Sequence, residues 1–223
     1  MHVGLIAGIG PAATDFYYRR IIAALAGKRR PLELTMVHAD TPTLLGHQMA
    51  GDVEAQVAIY LRLTSRLRDA GAQVVAVTSI AGHFCIDAFK AVSPLPVIDL
   101  LVEVDGALAA QRLRKVGILG TRLAMQSRFY GAARTTEIVP PDHGMLDAVH
   151  DAYIEMASSG VVTVAQRAVF FDAGRSLVRD HGAEAVMLGG TDLALAFAGQ
   201  DPGFAVFDCA GVHADAIAEA AAI

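Results

Sequence analysis

The sequence predicts an α/β fold: two similar parallel-sheet lobes of three layers each, related by pseudo-twofold symmetry, with an active-site cleft between them. Three observations predict it. Short apolar, β-rich runs alternate with stretches of helical periodicity. The pattern returns in the second half of the chain at a nearly constant offset. The 223 residues are 54% apolar, which suffices to fill one large core or two small ones.

Taken in order, Val3 to Ala7 is a β-rich run ending in Gly8-Ile9-Gly10-Pro11. A helical pattern follows from Ala12 to about Ala26, closed by Gly27. Leu34 to His38 reads as a strand, and Asp52 to Ala70 as a helix with an apolar stripe stopped by Gly71. Val74 to Val77 is a buried strand; Pro94 and Pro96 bracket a short one, Val97-Ile98, that leads to Asp99. The second half repeats this. Val116 to Thr121 matches Val3 to Gly8, Asp180 to Val186 matches Asp69 to Val75, and Phe204 to Asp208 matches Leu95 to Asp99. These offsets are 113, 111 and 109 positions, in one order, which divides the chain into a first lobe of residues 1–98 with 208–223 and a second of 99–207.

Charge excludes several classes. Lys and Arg number 18 against 23 Asp and Glu, a net charge of −5, so no basic stripe for nucleic acid is expected. The one basic cluster, Lys28-Arg29-Arg30, reads as a solvated helix end. Cys85 and Cys209 do not make a disulfide scaffold. The opening Met1-to-Gly8 run is neither a secretory leader nor a membrane span, and no uncharged run reaches the roughly 18 residues a spanning helix needs. A soluble, cytoplasmic protein with a small-molecule substrate, and no nucleic-acid or membrane partner, is the expectation.

In open parallel sheets ligands gather beyond the carboxyl ends of the strands. The segments to watch are therefore 8–14, 40–48, 78–83, 121–127 and 189–192. Gly8-Ile9-Gly10-Pro11-Ala12-Ala13-Thr14 joins a strand to a helix, where unpaired amides suit a carboxylate or phosphate. A simple tight turn is the equal alternative. It is not a dinucleotide fingerprint, because Pro11 and Ala13 break the glycine spacing.

That opening resembles the Gly-Gly-Met-Gly-Pro-x-Ala-Thr type of start in the aspartate/glutamate racemase superfamily. The resemblance continues through Phe16-Tyr17-Tyr18, Gly71-Ala72, His83, Leu119-Gly120-Thr121, Phe129-Tyr130, Gly189-Gly190-Thr191-Asp192, Val206-Phe207-Asp208 and His213, essentially the whole chain. It implies a two-lobed fold, a homodimer, and cofactor-free racemisation by two cysteines, one per lobe. The motifs are Cys-Asn-Thr-x-His and Gly-Cys-Thr-Glu. Here the first cysteine position holds Ser79, counted back from His83, and the second falls on Gly190. A thiol titrates near about 8.5 and shuttles protons at neutral pH; a serine hydroxyl needs a neighbouring base, and glycine has no side chain. Two-base racemisation at these positions is therefore excluded, and one-sided decarboxylation, elimination or hydrolysis is what Ser79 can support.

The substrate contacts change with it. The family's Asn and Thr become Ile80 and Ala81, and Asp147 stands where the resemblance implies a carboxylate-binding lysine. An acid there repels a second carboxylate, so a dicarboxylic amino acid fits poorly. Gly8, Ile9, Gly10, Thr14, Gln48, Gly190 and Thr191 are the remaining expected substrate contacts, with Ser79, Thr78 and His83 as catalytic candidates. His38, His47 or His83 is the candidate base for Ser79 or a water. His143, Asp147, His150 and Asp151 share a helix face, but their spacing fits no usual zinc motif, so no metal is expected. Met125, Met145 and Met156 read as core or cleft wall, and Cys85 and Cys209 as buried small hydrophobes. Two other readings stand beside the enzyme: a catalytically silent binding protein that kept the cleft, and a metal-dependent hydrolase.

Overall fold

The computed structural model describes residues 1–8 and 10–223. In order, the elements are β1 (Val3–Ala7), α1 (Pro11–Lys28), β2 (Leu34–His38), α2 (Thr41–Ala50), α3 (Val53–Asp69), β3 (Val74–Val77), α4 (Ile86–Val92), β4 (Val97–Ile98) and α5 (Leu100–Ala110). Then come β5 (Lys115–Gly120), α6 (Arg122–Gln126), β6 (Glu137–Val139), α7 (His143–Ser159), α8 (Val164–Arg179), β7 (Ala185–Gly189), α9 (Ala194–Phe197), β8 (Val206–Phe207) and α10 (Cys209–Ala221). The chain divides into two compact units, Met1–Leu100 with Gly211–Ile223, and Leu101–Ala210.

Each unit holds one four-stranded parallel sheet, in the order β2-β1-β3-β4 in the first and β6-β5-β7-β8 in the second. The repeat seen in sequence thus has a structural counterpart: β1 and β5, β3 and β7, β4 and β8 take equivalent places in their sheets. Two such sheets with helices packed on them establish the α/β class. The central strands β1, β3 and β7 are buried at every position, as a strand covered on both faces must be. Edge strand β2 exposes Met36 and His38 instead.

Helix packing follows the periodicity. α1 buries Tyr17, Ile21 and Leu25, four residues apart, and α3 buries Tyr60, Leu63, Thr64 and Leu67 on one stripe. Asp52 caps α3 by accepting the Ala55 N–H at 3.0 Å. Both units use a glycine to let a helix approach a central strand. A Cβ on Gly4 would meet the Leu67 side chain at 3.0 Å, and one on Gly117 would meet Leu177 at 2.8 and 2.9 Å.

One boundary departs from expectation. α1 passes through Gly27 to Lys28, and Arg29 takes the left-handed conformation, with φ 53°. The Arg29 and Arg30 amides close the helix on the Ala26 and Leu25 carbonyls, both at 3.1 Å. The basic cluster explains the choice. Lys28 pairs with Glu219, and Arg30 donates to the Ala222 carbonyl, so these side chains fasten α10 instead of only meeting solvent. Among the described residues, no helix is long and apolar enough to cross a membrane.

Gly117→Ala should destabilise the protein by about 1–3 kcal/mol, because Leu177 must leave its rotamer. Gly4→Ala should cost less, its contacts being wider. Urea unfolding midpoints of the two variants check the order.

Candidate active site

In the first unit the carboxyl end of β3 runs straight into Thr78 and Ser79, both buried. Thr78 donates its N–H to the Ile6 carbonyl at 3.0 Å and its hydroxyl to the same oxygen at 3.3 Å. It therefore continues the β1–β3 ladder, and its proton is committed to the sheet. The Ser79 hydroxyl accepts the Gly82 N–H at 3.2 Å, while its own proton has no acceptor among the described residues.

His83 does not engage that hydroxyl. Its Nδ1–H donates to the main-chain oxygen of Ser79 at 2.6 Å, which fixes the tautomer and leaves Nε2 buried without a hydrogen-bond partner among the described residues. The ring meets His213 edge-on, with centroids 5.9 Å apart. His213 donates Nε2–H to the Ile98 carbonyl and accepts the Tyr17 hydroxyl on Nδ1, each at 3.0 Å. Burial lowers the pKa of His83; burial, with a smaller contribution from His83, pushes His213 down to about 3. Both rings are neutral at pH 7.

The Gly8 loop is closed by two threonines. Gly8 donates its N–H to Thr14 at 2.9 Å and Gly10 donates to Thr41 at 3.2 Å. In return Thr41 donates to the Gly8 carbonyl at 2.9 Å and Thr14 to the Gly10 carbonyl at 3.2 Å. The Gly8 and Gly10 amides expected to face an anion are thus already bonded, and so is the Thr14 hydroxyl. For these residues the tight-turn alternative describes the geometry. Ile9, the remaining loop candidate, lies outside the described residues. Thr41 was not legible as a partner, because its hydroxyl bonds residues more than thirty positions away. Gly8 has φ 89°, and the His38 ring fills the space a Cβ would need, with Cε1 at 2.6 Å. A cavity of about 350 Å³ opens here, lined by Ala7, Gly8, Thr14, Met36, Val37 and His38. Gln48 is buried and donates to the Ala81 carbonyl at 2.9 Å, tying α2 to the turn after Ser79. Ile80 and Ala81 are buried there as well.

In the second unit, β7 delivers Gly190, Thr191 and Asp192, the last two buried. The space above Gly190 is occupied. A Cβ there would stand 2.7 Å from Cζ and 2.9 Å from the hydroxyl of Tyr153 on α7. That hydroxyl donates to Asp192 Oδ2 at 3.3 Å. Burial first, and then the Asp192 charge, raise the phenol well above its usual value, so it remains a proton-bearing donor. Tyr153 sits two turns along α7 from Asp147 and was missed in the sequence, where an aromatic in a helix reads as core.

Asp147 is not an isolated acid. Its carboxylate pairs with the guanidinium of Arg122, the first residue of α6, and both side chains are exposed. The local charge is balanced, so the repulsion of a second carboxylate expected from Asp147 loses its basis. The Arg122 N–H donates to His150 Nδ1 at 3.1 Å; burial and the Arg122 charge lower the pKa of that ring. Among the described residues no three His, Cys, Asp or Glu side chains converge as a metal would require. Neither cysteine is a ready thiolate. Burial pushes Cys85 up to about 12, and burial and Asp208 raise Cys209 well above the usual thiol range.

This is an α/β fold with polar groups at the carboxyl ends of its strands. The model of the Asp/Glu/hydantoin racemase family matches residues 6–217, and the chain belongs to that family. Among solved structures, it resembles a Yersinia pestis protein assigned to the Asp/Glu racemases, with 26% identity over 99% of both chains and a TM-score of 0.84. An aspartate racemase homologue from Pyrococcus horikoshii is similar at 23% identity, covering 100% of this chain and 99% of the other, with a TM-score of 0.82. A Francisella tularensis glutamate racemase shares the fold at 14% identity, 98% and 80% coverage, and a TM-score of 0.67.

Two expectations follow. Unfolding lets His213 titrate near its ordinary pKa of about 6.5, so the unfolded chain binds more protons below that pH. Stability is complete above about 6.5 and is lost as pH falls from there toward about 3; His213→Phe should flatten that slope in unfolding midpoints measured from pH 7 to pH 4. Gly190→Ala should cost about 1–3 kcal/mol through overpacking against the Tyr153 ring. Combining it with Tyr153→Ala should cost less than the two changes added separately, as a double-mutant cycle in urea will read out.

Proposed function

We propose that this chain is a family enzyme acting on one face of a small carboxylate or carbonyl compound, not by exchange of protons between two thiols. The observation that carries the reading is at Gly190: the volume a second acid–base side chain would need is filled by Tyr153. The buried, high-pKa Cys85 and Cys209 support it further, since neither supplies a thiolate at neutral pH. Ser79 is a hydroxyl just past β3 whose proton has no acceptor among the described residues, and no histidine among them is bonded to its oxygen. It therefore suits hydrogen-bond donation to a developing oxyanion or enediolate better than nucleophilic attack. Lyase, isomerase or hydrolase chemistry that needs a proton on one face only is compatible with this arrangement. Action without a cofactor and as a homodimer is part of the proposal and comes from the family resemblance.

A catalytically silent binding protein is the second reading. It is favoured by the internal satisfaction of Thr14, Thr78 and the Gly8 and Gly10 amides, which leaves few polar groups for a reacting ligand.

Proton NMR in heavy water, with a panel of small carboxylic, amino and malonic acids, separates the two. The enzyme should remove one α-proton signal or generate a product. Ser79→Ala should then slow turnover by about 10²-fold or more while the chain still folds, its unfolding midpoint lowered only by the lost acceptor of the Gly82 N–H. Undiminished turnover in that variant removes Ser79 from the mechanism. A silent panel with line broadening for one compound establishes the binding protein.

A further inference from the structure

A second cavity, of about 200 Å³, lies between α3 and the turn that joins β2 to α2. Its polar lining is His38, Asp40, Thr43, Gln56, Arg62 and Arg66, and none of Thr78, Ser79 or His83 contributes to it. Arg62 and Arg66 are one turn apart on α3, so their guanidinia sit on neighbouring parts of one face. Elsewhere on this unit arginines hold acids: Arg20 grips Asp215, and Arg68 on the same helix holds Asp69. Arg62 and Arg66 have no ion pair or side-chain hydrogen bond among the described residues. Asp40, the one acid in the lining, makes no ion pair with either arginine among the described residues: its Oδ2 accepts the Thr43 N–H at 2.9 Å and the Thr43 hydroxyl at 2.6 Å.

The base of the cavity supplies the independent observation. Gln56 is 1% exposed, and one end of its amide is bonded to the His47 ring at 3.0 Å. The other end, the amide nitrogen, has no partner among the described residues and borders the cavity. A ligand that accepts this N–H completes the hydrogen bonding of the amide. Two free guanidinia above a buried donor offer a concave set of N–H groups to an acceptor that carries negative charge.

We propose that this cavity binds a small oxyanion, a phosphate or carboxylate group held by Arg62 and Arg66 and by the Gln56 amide. The planar guanidinium forks match either group through paired hydrogen bonds, and the volume limits the occupant to one such group with a few further atoms. The occupant is a second ligand, apart from the compound that meets Ser79. His38 lines both this cavity and the one against Gly8, so the oxyanion sits beside a residue of the first site.

Calorimetric titration of the full chain with inorganic phosphate, and separately with malonate, at constant ionic strength, tests this. Saturable binding at one site is expected for at least one of them, and the tighter anion identifies the group the cavity takes. The double variant Arg62→Gln with Arg66→Gln should weaken that binding by about tenfold or more. Its unfolding midpoint should be unaltered, because both side chains are exposed. Arg112→Gln, at an exposed arginine outside the cavity, should leave the affinity unchanged. Absence of saturable binding by both anions overturns the proposal. So does affinity that survives the double variant, or that falls equally with Arg112→Gln.

Discussion

A strand bonded on both sides governs this molecule. β1 lies between β2 and β3, and β5 between β6 and β7, all parallel, so each central strand is hydrogen-bonded along both edges, β5 to β6 as far as Gly117. Parallel pairing sends each connection over a face of the sheet through a helix, and it gathers the strand ends of one polarity along one edge. Polar chemistry then has only the residues just past those ends to use. Thr78 and Ser79 after β3, Gly8 after β1 and Gly190 after β7 occupy those places for that reason. The glycines at 4 and 117 serve the same constraint from below, letting Leu67 and Leu177 seat their helices against the central strands.

Past the strand ends, neighbouring threonines and serines take different roles according to what their backbone surroundings lack. Thr14 and Thr41 complete a loop whose amides would otherwise be orphaned, and Thr78 extends a ladder by one more bond. Ser79 accepts a bond, while its own proton has no acceptor among the described residues. The same logic applies to the imidazoles. His213 is saturated by Tyr17 and Ile98, whereas His83 is held by one nitrogen and left with a lone pair in a dry setting. Burial keeps both uncharged, so this part of the first unit is a neutral, rigid support in which charge comes from Lys90 and Asp99, paired at 2.6 Å.

The sheet was legible in the sequence because its signals are local. Val3–Ala7, Leu34–His38, Val74–Val77 and Val97–Ile98 each stand out as short apolar runs between turn residues, and the internal repeat supplied counterparts of all but Leu34–His38, whose equivalent β6 was not read. The end of α1 was not legible, since Gly27 is the obvious stop on propensity and only the contacts of Lys28 and Arg30 with the distant α10 show why Arg29 takes that place. The candidate site divides the same way. Ser79, Thr78 and His83 were found because they lie in one segment just past a strand, to which the resemblance to the family's Cys-Asn-Thr-x-His motif pointed. Thr41, Arg122 and Tyr153 were not, because each acts on a group tens of residues away and looks locally like a helix start or a core aromatic. Residue type at one position names a possible chemistry; which hydroxyl or cation is already engaged is a property of the folded neighbourhood.

The interlock of Gly190 with Tyr153 also orders the histories open to this chain. The ring fits only opposite a residue without a side chain, so a lineage reaching this state lost its substituent at 190 before, or together with, gaining the aromatic at 153. Return runs the other way: the ring must leave first. That intermediate, a small residue at 153 facing glycine, opens a hole in the interior at a cost of about 3–5 kcal/mol, comparable to much of a domain's stability. The pair therefore behaves as a ratchet: a side chain is added at 190 only once the ring at 153 has gone.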